Sequence, residues 1–329
     1  MTIVSEAMPR PAAAEARAAT VRRFALTDTV FHALTRASAI LVLVILGGVA
    51  ISLVVGAWPA LSVFGASFLA TQAWNPVTEN FGALAPIYGT VVTSAVAILI
   101  AVPIGIGIAV FLTELCPRPL RRPIGIAVEL LAGIPSIIYG IWGLFVFAPF
   151  LQVYLQPLVI GVFKGVPVLE NLFAGPPYGI GLLTSALILA IMVLPFITSI
   201  TKDVFDTVPA VLKESAYGIG CTTWEVTRRI VIPYTRVGIM GGVMLGLGRA
   251  LGETMAVTFV IGNAHRISAS LFAPGTTISA TIANEFTEAD GELYTSSLVA
   301  LGLILFVITF LILAAARFML MRIERRAGA

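Results

Sequence analysis

Six apolar runs, each close to the length of a membrane-spanning helix, constrain this chain more than any other feature. They are Ala37–Ala57, Tyr88–Leu112, Ile124–Phe150, Gly179–Ile200, Val237–Ile261 and Ser296–Met319. About 20 apolar residues in a helix cross the ~30 Å hydrocarbon core of a bilayer. Because a backbone in lipid must satisfy its own hydrogen bonds, each run is expected to be helical. The sequence therefore predicts an all-α, polytopic membrane protein with six transmembrane helices.

The composition agrees with an integral membrane protein and excludes several other classes. Of the 329 residues, 58% are hydrophobic and 11% are charged, whereas a soluble domain is about 25% charged. The net charge of +3 is spread over the flanks of the apolar runs, so no nucleic-acid partner is expected. The chain has no G-x-x-x-x-G-K-[ST] phosphate loop, and His32 and His265 are too far apart to indicate a zinc site. No cofactor is expected.

The positions of lysine and arginine predict the orientation in the membrane. With six spans, 17 of the 20 basic residues fall on one side, in the N-terminal tail, after the second run, after the fourth run and at the C-terminus. The opposite side has only Lys164 and Arg266. By the positive-inside rule, both termini are predicted to be cytoplasmic. Residues 1–27 are expected to form a mobile cytoplasmic tail, and residues 28–329 a transmembrane domain.

One segment between the fourth and fifth runs, about residues 203–235, is unusually polar for a connection between membrane helices. Its glycines predict a short helix over about 211–218, a break at Gly218 and Gly220, and a second helix from Thr222 that Pro233 ends. Two short helices at an angle make a rigid unit outside the bilayer. Such a unit is suited to receiving force from a soluble partner.

Arg249 is the one basic residue in the middle of an apolar run, and Glu253 follows it by four residues. An ionised side chain at that depth normally faces a cavity or a partner, so a functional role is the first hypothesis. The planar fork of arginine donates paired hydrogen bonds to an oxyanion. On a continuous helix, Glu253 would lie one turn further along the same face and could hold the guanidinium when no anion is bound. The alternative is an ion pair that only fixes helix packing.

Two glycine-containing patterns indicate close packing or a break in a helix. Gly238, Gly242 and Gly246 recur every four residues, which predicts close approach of another helix, either from a second subunit or from this chain. The stretch Gly133–Gly140 contains Pro135, which predicts a helix break within the third run. Ser136 and Tyr139, beside this break, could offer hydroxyl groups to a passing anion or could simply pack there.

The polar segment resembles the EAA loop of permeases from ATP-binding-cassette importers. The matching positions are Glu214, Ser215, Ala216, Gly220, Ile230 and Pro233, with Ser215 and the following Ile232 as mild departures from the usual Ala and Leu. Two further stretches, 133–140 and 247–258, resemble the PstC-type permeases of phosphate importers. The resemblance covers roughly residues 25–322.

The resemblance implies a type I ABC importer permease fold in the bacterial cytoplasmic membrane and an ATP-driven uptake of inorganic phosphate. It implies three kinds of partner besides the lipid bilayer: a second, PstA-like permease subunit, two cytoplasmic PstB-like ATP-binding subunits that hydrolyse ATP, and an extracytoplasmic PstS-like phosphate-binding protein. It also places Arg249 and Glu253 in the phosphate path, and it assigns the EAA-loop residues to contact with the ATPase. The chain itself is not expected to be an enzyme.

Three other functions remain open at this level. A permease for another oxyanion, such as sulfate or molybdate, would use the same polar segment. A passive anion channel would conduct without ATP. An intramembrane enzyme could use Glu129 or Glu253 as an acid, but it would have no need of the polar segment.

Overall fold

The chain folds into long helices joined by short irregular segments. The computed structural model describes the backbone of residues 11–327 and the side chains of residues 27–322. In chain order the elements are α1 (Pro11–Phe64), α2 (Ser67–Ala70), β1 (Trp74–Asn75), β2 (Asn80–Phe81), α3 (Leu84–Val110), α4 (Arg118–Ala132), α5 (Ser136–Trp142), α6 (Ala148–Phe150), α7 (Gln156–Phe163), α8 (Pro167–Leu172), α9 (Leu182–Asp206), α10 (Ala210–Gly218), α11 (Thr223–Val226), α12 (Ile232–Leu251), α13 (Met255–Thr258), α14 (Ile278–Glu285) and α15 (Glu292–Ala327). Four π-helical segments, Phe111–Leu115, Gly143–Phe147, Leu151–Leu155 and Thr227–Val231, extend or join these helices.

Six helical stretches are long and apolar enough to cross a membrane, which confirms the all-α, six-span prediction. They are Thr27–Phe64, Leu84–Leu115, Ser136–Phe163, Leu182–Asp206, Thr223–Leu251 and Glu292–Arg322. The small antiparallel pair of β1 and β2, in register at Trp74 with Phe81, is the only sheet among the described residues. An even number of spans leaves both chain ends on the same side of the membrane.

The N-terminal boundary differs from the sequence-based expectation. Residues 11–27, predicted as a tail, belong to α1, and residues 1–10 lie outside the described residues. Alanine has the highest helix propensity, and the segment after Pro11 is rich in it, which accounts for the early start. The chain also divides at Val55 rather than at residue 27, into a unit that ends there and a second unit from Gly56 onward. The mobility of the tail stays a prediction.

The core of the second unit is built around α9, which packs against α3, α4 and α12. Small residues allow these close contacts. A Cβ atom on Gly238 would lie 2.5 Å from Val204, on Gly242 3.1 Å from Ile200, and on Gly246 2.8 Å from Val193. The glycine stripe of the fifth span therefore packs against α9 within this chain. Of the two interpretations of that stripe, the structure favours internal packing over a subunit interface.

The third predicted run, Ile124–Phe150, was wrong at both ends. The helical chain breaks at Gly133–Pro135, and the apolar span runs from Ser136 to Phe163. The preceding helix α4 is amphipathic and lies antiparallel to α9, with Arg121 beside Asp206 and Glu129 beside Lys202. The end was missed because π-helical segments carry the helix beyond Phe150, into what was predicted as a loop.

A second cluster of side chains closes the side of the protein opposite the basic flanks. His265 stacks on Trp74 at 5.2 Å between ring centroids, and its Nε2 lies 3.6 Å from the Glu285 carboxylate. The hydroxyl of Tyr294 donates to the other oxygen of Glu285. Burial lowers the pKa of His265, and the Glu285 carboxylate opposes that effect without cancelling it. Glu285 thus belongs to a packed cluster.

We predict that Gly89→Ala destabilises the protein, because a Cβ atom at this position of α3 would collide with the backbone carbonyl oxygen of Thr276. Overpacking of this kind costs about 1–3 kcal/mol. Gly107→Ala, on the same helix with no atom within 4 Å of its Cβ position, is the matched control. Thermal unfolding of the purified protein measures both. Equal melting temperatures for the two variants would contradict the packing described here.

Candidate functional site

The fifth span ends close to Arg249. α12 stops at Leu251, and Gly252, at φ −94° and ψ 3°, leads the chain out of the helix into the short α13. The predicted run Val237–Ile261 was therefore displaced, because the helix begins at Thr223 and does not reach residue 261. Arg249 lies in the last turn of a helix rather than in the middle of one.

Glu253 does not hold the Arg249 guanidinium, contrary to expectation. Between these two described side chains there is no ion pair within 4.0 Å. Instead, Glu253 Oε1 accepts a hydrogen bond from the backbone N–H of Ala256 at 3.3 Å, which caps α13. The prediction assumed a continuous helix with both residues on one face. The end of α12 at Leu251 turns Glu253 away from that face.

Arg249 stacks instead on an aromatic ring of the fourth span. Its guanidinium carbon lies 4.6 Å from the centroid of the Phe196 ring. Phe196 is fourteen residues from the start of α9 and ten from its end, or about 21 Å and about 15 Å along the helix. The guanidinium thus sits near the middle of a membrane-spanning helix. A cation–π contact stabilises it by about 0.5–2 kcal/mol while leaving its N–H groups free to bind another acceptor.

The side chain of Arg249 lines a groove of about 590 Å³ between the fourth, fifth and sixth spans. The lining residues are Phe196, Gly241, Met244, Leu245, Gly248, Arg249 and Leu313. Arg249 is the one charged member of this lining, and its side chain is exposed. A single exposed cation in an apolar groove at mid-membrane depth is a candidate anion site.

The helix break at Gly133–Pro135 lies close to this site, but its two hydroxyl groups differ in role. Tyr139 is buried, and its hydroxyl donates at 2.9 Å to the Leu131 carbonyl oxygen. Pro135, four residues after Leu131, has no N–H for this carbonyl, which also accepts a longer bond of 3.4 Å from the N–H of Ile134. The donor of Tyr139 is used by this carbonyl in the structure, and the contact of Tyr139 with an anion stays a prediction. Ser136, half-buried at the start of α5, makes no side-chain hydrogen bond to any described residue. Its contact with an anion stays a prediction.

The start of α5 and the segment after Arg249 pack directly against each other. A Cβ atom on Gly140 would lie 2.7 Å from the Phe259 ring and 3.1 Å from Cα of Ala256. Tyr139, Ala250 and Ala256 share one buried cluster, and the Arg249 guanidinium is near enough to interact electrostatically with the Tyr139 hydroxyl. The two stretches that the sequence singled out separately, 133–140 and 247–258, therefore pack against each other.

The polar segment forms the predicted first helix and break. α10 covers Ala210–Gly218, and Gly220 has φ +90°, a conformation that residues with a side chain rarely adopt. The N–H of Gly220 donates to Tyr217, and that of Cys221 to Ala216, which closes the end of the helix. The next helix begins with a capping box in which Thr222 and Glu225 satisfy each other's backbone N–H groups.

The second part of that prediction was wrong, because Pro233 does not end the helix. The chain continues from Thr223 to Leu251 through the π-helical segment Thr227–Val231, just before the proline. Pro233 lacks an N–H group, and its ring would clash with the carbonyl four residues earlier in a regular α-helix. A π-helical turn shifts that carbonyl and lets the helix pass. The polar segment is thus directly continuous with the fifth span.

The residues predicted to contact an ATPase are mostly accessible. Glu214, Ser215, Gly220 and Pro233 are exposed, and Ile230 is half-buried. Ala216 is buried beneath α10 among Phe205, Val226 and Val231. The accessible face of α10 and the bend after it are therefore free to bind another protein, whereas Ala216 anchors α10 to the spans.

An ion pair that the sequence analysis missed also fixes α10. Lys213 Nζ lies 2.6 Å from Glu114 Oε1, and their side chains are only 20% and 7% exposed. Glu114 belongs to the π-helical end of the second span. No sequence signal joined these two residues, and the same holds for Phe196 and Arg249, because each pair comes from different elements.

The six spans, the exposed arginine at mid-membrane depth and the accessible bent helix pair are features expected of a transport permease. The chain belongs to the family described as binding-protein-dependent transport system inner membrane component, whose match covers residues 101–326. It is a multi-pass membrane protein.

Two relatives share one name, phosphate transport system permease protein PstC. The chain is 82% identical over 329 residues to that of Mesorhizobium japonicum, which covers 100% of both chains. It is 57% identical over 303 residues to that of Pasteurella multocida, covering 92% of this chain and 94% of the relative.

Two solved structures share the fold. A chain of a bacterial alginate ABC transporter, in complex with an alginate pentasaccharide-bound periplasmic protein, has a TM-score of 0.60 at 18% identity and covers 92% of this chain and 97% of its own. A chain of the MetNI methionine ABC transporter in an inward-facing conformation has a TM-score of 0.52 at 16% identity, covering 72% and 94%. The predicted ABC importer permease fold is confirmed.

We predict that Glu114→Leu loosens α10, because it leaves the Lys213 cation without its partner in a mostly buried position. Removing one partner of a buried charged hydrogen bond costs on the order of 2 kcal/mol. Amide hydrogen exchange across residues 210–218 should therefore become more than tenfold faster. Glu129→Gln, which weakens the pair between α4 and α9, is the control and should leave exchange in α10 unchanged. Unchanged exchange in Glu114→Leu would contradict this role.

Proposed function

We propose that this chain is the permease subunit through which an ATP-driven importer moves inorganic phosphate across the cytoplasmic membrane. The observation that carries the proposal is the exposed Arg249 in an otherwise apolar groove at mid-membrane depth. Two relatives that cover nearly the whole chain, one at 82% identity, are phosphate transport system permease proteins. Sulfate or molybdate transport is not favoured by these relatives.

Phosphate would bind Arg249 through the free edge of the guanidinium. That edge matches two oxygens of a tetrahedral oxyanion and forms charge-assisted hydrogen bonds with them. Because no carboxylate occupies the edge, the anion does not have to displace a strong competitor. The Phe196 ring would stack on one face of the guanidinium and so direct its N–H groups toward the groove. The groove is open in this single chain, and a second, PstA-like permease subunit would close it.

The coupling to ATP would run through α10. Two PstB-like subunits would bind the exposed face around Glu214, Ser215 and Gly220, close on ATP, and hydrolyse it. The Lys213–Glu114 pair would pass the movement of α10 to the second span. The unbroken helix from Thr223 to Leu251 would pass it to Arg249. A rigid lever of this kind needs no flexible joint between the ATPase contact and the anion site.

The orientation follows from the basic flanks. We propose that both termini and α10 are cytoplasmic, since 17 of the 20 lysine and arginine residues lie on that side. A PstS-like phosphate-binding protein would deliver phosphate to the opposite side, where the cluster of Trp74, His265 and Tyr294 closes the surface. Hydrolysis would belong to the partner subunits, and this chain would supply only the path.

Arg249→Gln should reduce phosphate uptake by on the order of 100-fold, because about 3 kcal/mol of charged hydrogen bonding is removed. Arg317→Gln, an exposed arginine at the basic end of the sixth span, is the control and should transport normally. Uptake of labelled phosphate and sulfate in a strain lacking the native chain measures the effect, with membrane abundance of each variant as the reference. Normal uptake by Arg249→Gln would remove Arg249 from the path, and sulfate uptake by the unaltered chain would change the substrate.

Gly220→Ala should uncouple uptake from ATP hydrolysis, since a side chain at φ +90° strains the bend by about 1–2 kcal/mol. Gly291→Ala is the matched control, because Gly291 also has φ +90° and open space around its Cβ position, but precedes the sixth span on the opposite side. The measurement is the ratio of phosphate imported to ATP hydrolysed by the reconstituted transporter. Equal ratios in the two variants would mean that the bend carries no coupling.

A further inference from the structure

A basic cavity lies at the end of α9, far along the chain from Arg249 and outside the groove. Its volume is about 410 Å³. The lining residues are Arg118, Arg121, Arg122, Gly125, Ile126 and Glu129 of α4 and Lys202 of α9. Four cations from two helices thus converge on one cavity with a single carboxylate in its lining. Neither the transport path nor the ATPase contact uses these residues.

Two of the four cations are held in place by ion pairs. Arg121 lies 2.7 Å from the Asp206 carboxylate, and Lys202 Nζ lies 3.1 Å from Glu129 and 3.9 Å from Asp203. These contacts fix both the position of α4 on α9 and the direction of the two cations.

The other two cations have no such partner. Among the described residues, Arg118 and Arg122 form no ion pair, and both side chains are exposed. They lie four residues apart, on the same face of α4 as Arg121 and Gly125. Two guanidinium groups therefore border the cavity with their hydrogen-bond donors unused.

The position of the cavity relative to the membrane is defined by its neighbours. Asp206 is the last residue of the fourth span, so the cavity lies at the level where apolar helix meets polar surface. On the same helix as the arginines, Leu120, Leu130 and Leu131 are exposed apolar side chains. A helix with basic residues on one face and exposed leucines on another lies in the interface between headgroups and hydrocarbon.

The orientation rule for membrane proteins does not account for this arrangement. It requires basic residues on one side of the membrane but does not require them to converge on a cavity. Convergent arginines with free donors match the oxygens of a phosphate group, which accepts paired hydrogen bonds from a guanidinium. We propose that this cavity binds a phosphate group at the basic surface of the membrane, carried by an anionic phospholipid headgroup or present as inorganic phosphate.

The site would tie α4 to the lipid surface next to the break at Gly133–Pro135. A bound phosphate group bridges the free arginines and the fixed Lys202 and thereby restrains α4 against α9. The proposal is independent of what Arg249 binds, because the two sites share no residue. It can therefore be tested in a chain that lacks Arg249.

The experiment uses the intact transporter, purified with its native subunits and with Arg249→Gln in this chain, so that the transport path does not contribute. Binding of phosphatidylglycerol, phosphatidylcholine and inorganic phosphate is measured separately, by native mass spectrometry for the lipids and by equilibrium dialysis for phosphate. The test variant is Arg118→Gln/Arg122→Gln. The control is Arg317→Gln/Arg322→Gln, which removes the same charge from the basic end of the sixth span.

The test variant should bind phosphatidylglycerol or inorganic phosphate about 10- to 30-fold more weakly. This is the change in affinity expected when two basic residues near a membrane surface are removed. The control variant should bind normally, and Arg118→Lys/Arg122→Lys, which keeps the charge but loses the paired donors, should recover only part of the binding. A loss for phosphatidylglycerol alone identifies the lipid headgroup as the ligand, and a loss for inorganic phosphate identifies the free anion. Equal binding of every ligand by the test and control variants would overturn the proposal.

Discussion

A single guanidinium held at mid-membrane depth without a carboxylate partner is the constraint on which the rest of this structure depends. Desolvating an arginine costs several kcal/mol, so its surroundings must offset that cost without neutralising its hydrogen-bond donors. The Phe196 ring does this from one side, because the negative face of an aromatic ring attracts a cation but accepts no strong hydrogen bond. A glutamate in the same place would stabilise the charge more and compete with any anion.

The ends of the helices around Arg249 follow from the same requirement. Gly252 stops α12 just after the arginine, which turns Glu253 toward Ala256 instead of toward the guanidinium. The break at Gly133–Pro135 brings α5 against this turn, where Gly140 allows contact with Ala256 and Phe259. The hydroxyl of Tyr139 donates to the carbonyl of Leu131, which Pro135 cannot reach with an N–H. Irregular backbone is tolerated at this depth where it is buried in protein, and here the Leu131 carbonyl and the Ala256 N–H each have a side-chain partner.

The sequence was sufficient for the number and approximate place of the six spans, because lipid requires long apolar helices and the hydropathy pattern along the chain shows them. It was also sufficient for α10 and Gly220, since a glycine just after a short polar helix commonly adopts the left-handed conformation that ends it. It was insufficient wherever a helix changed its hydrogen-bond pattern. The π-helical segments Thr227–Val231, Gly143–Phe147 and Leu151–Leu155 cannot be predicted from residue types. For that reason the helix that contains Pro233 was predicted to end at the proline, and the third span was predicted to end at Phe150.

The sequence also could not predict contacts between elements that lie far apart along the chain. Nothing in the order of residues joins Phe196 to Arg249, or Glu114 to Lys213, and the assumed pairing of Arg249 with Glu253 relied on a helix that ends between them. Local spacing predicts neighbours only while the helix continues. The candidate residues Arg249 and Gly220 were singled out because each is unusual at its own position, whereas the residues they contact are ordinary ones.

The different burial of the ion pairs has a consequence for how the protein responds to its ionic environment. Dissolved salt screens exposed charges over about 8 Å at physiological strength, but it reaches enclosed pairs much less. The enclosed pair between Glu114 and Lys213 should therefore keep α10 attached in dilute and concentrated media alike. The pairs Arg121–Asp206 and Lys202–Glu129, which join α4 to α9, each include a carboxylate about half exposed, so they should weaken as ionic strength rises. The attachment of α10 should therefore be insensitive to the salt concentration, whereas the attachment of α4 should depend on it.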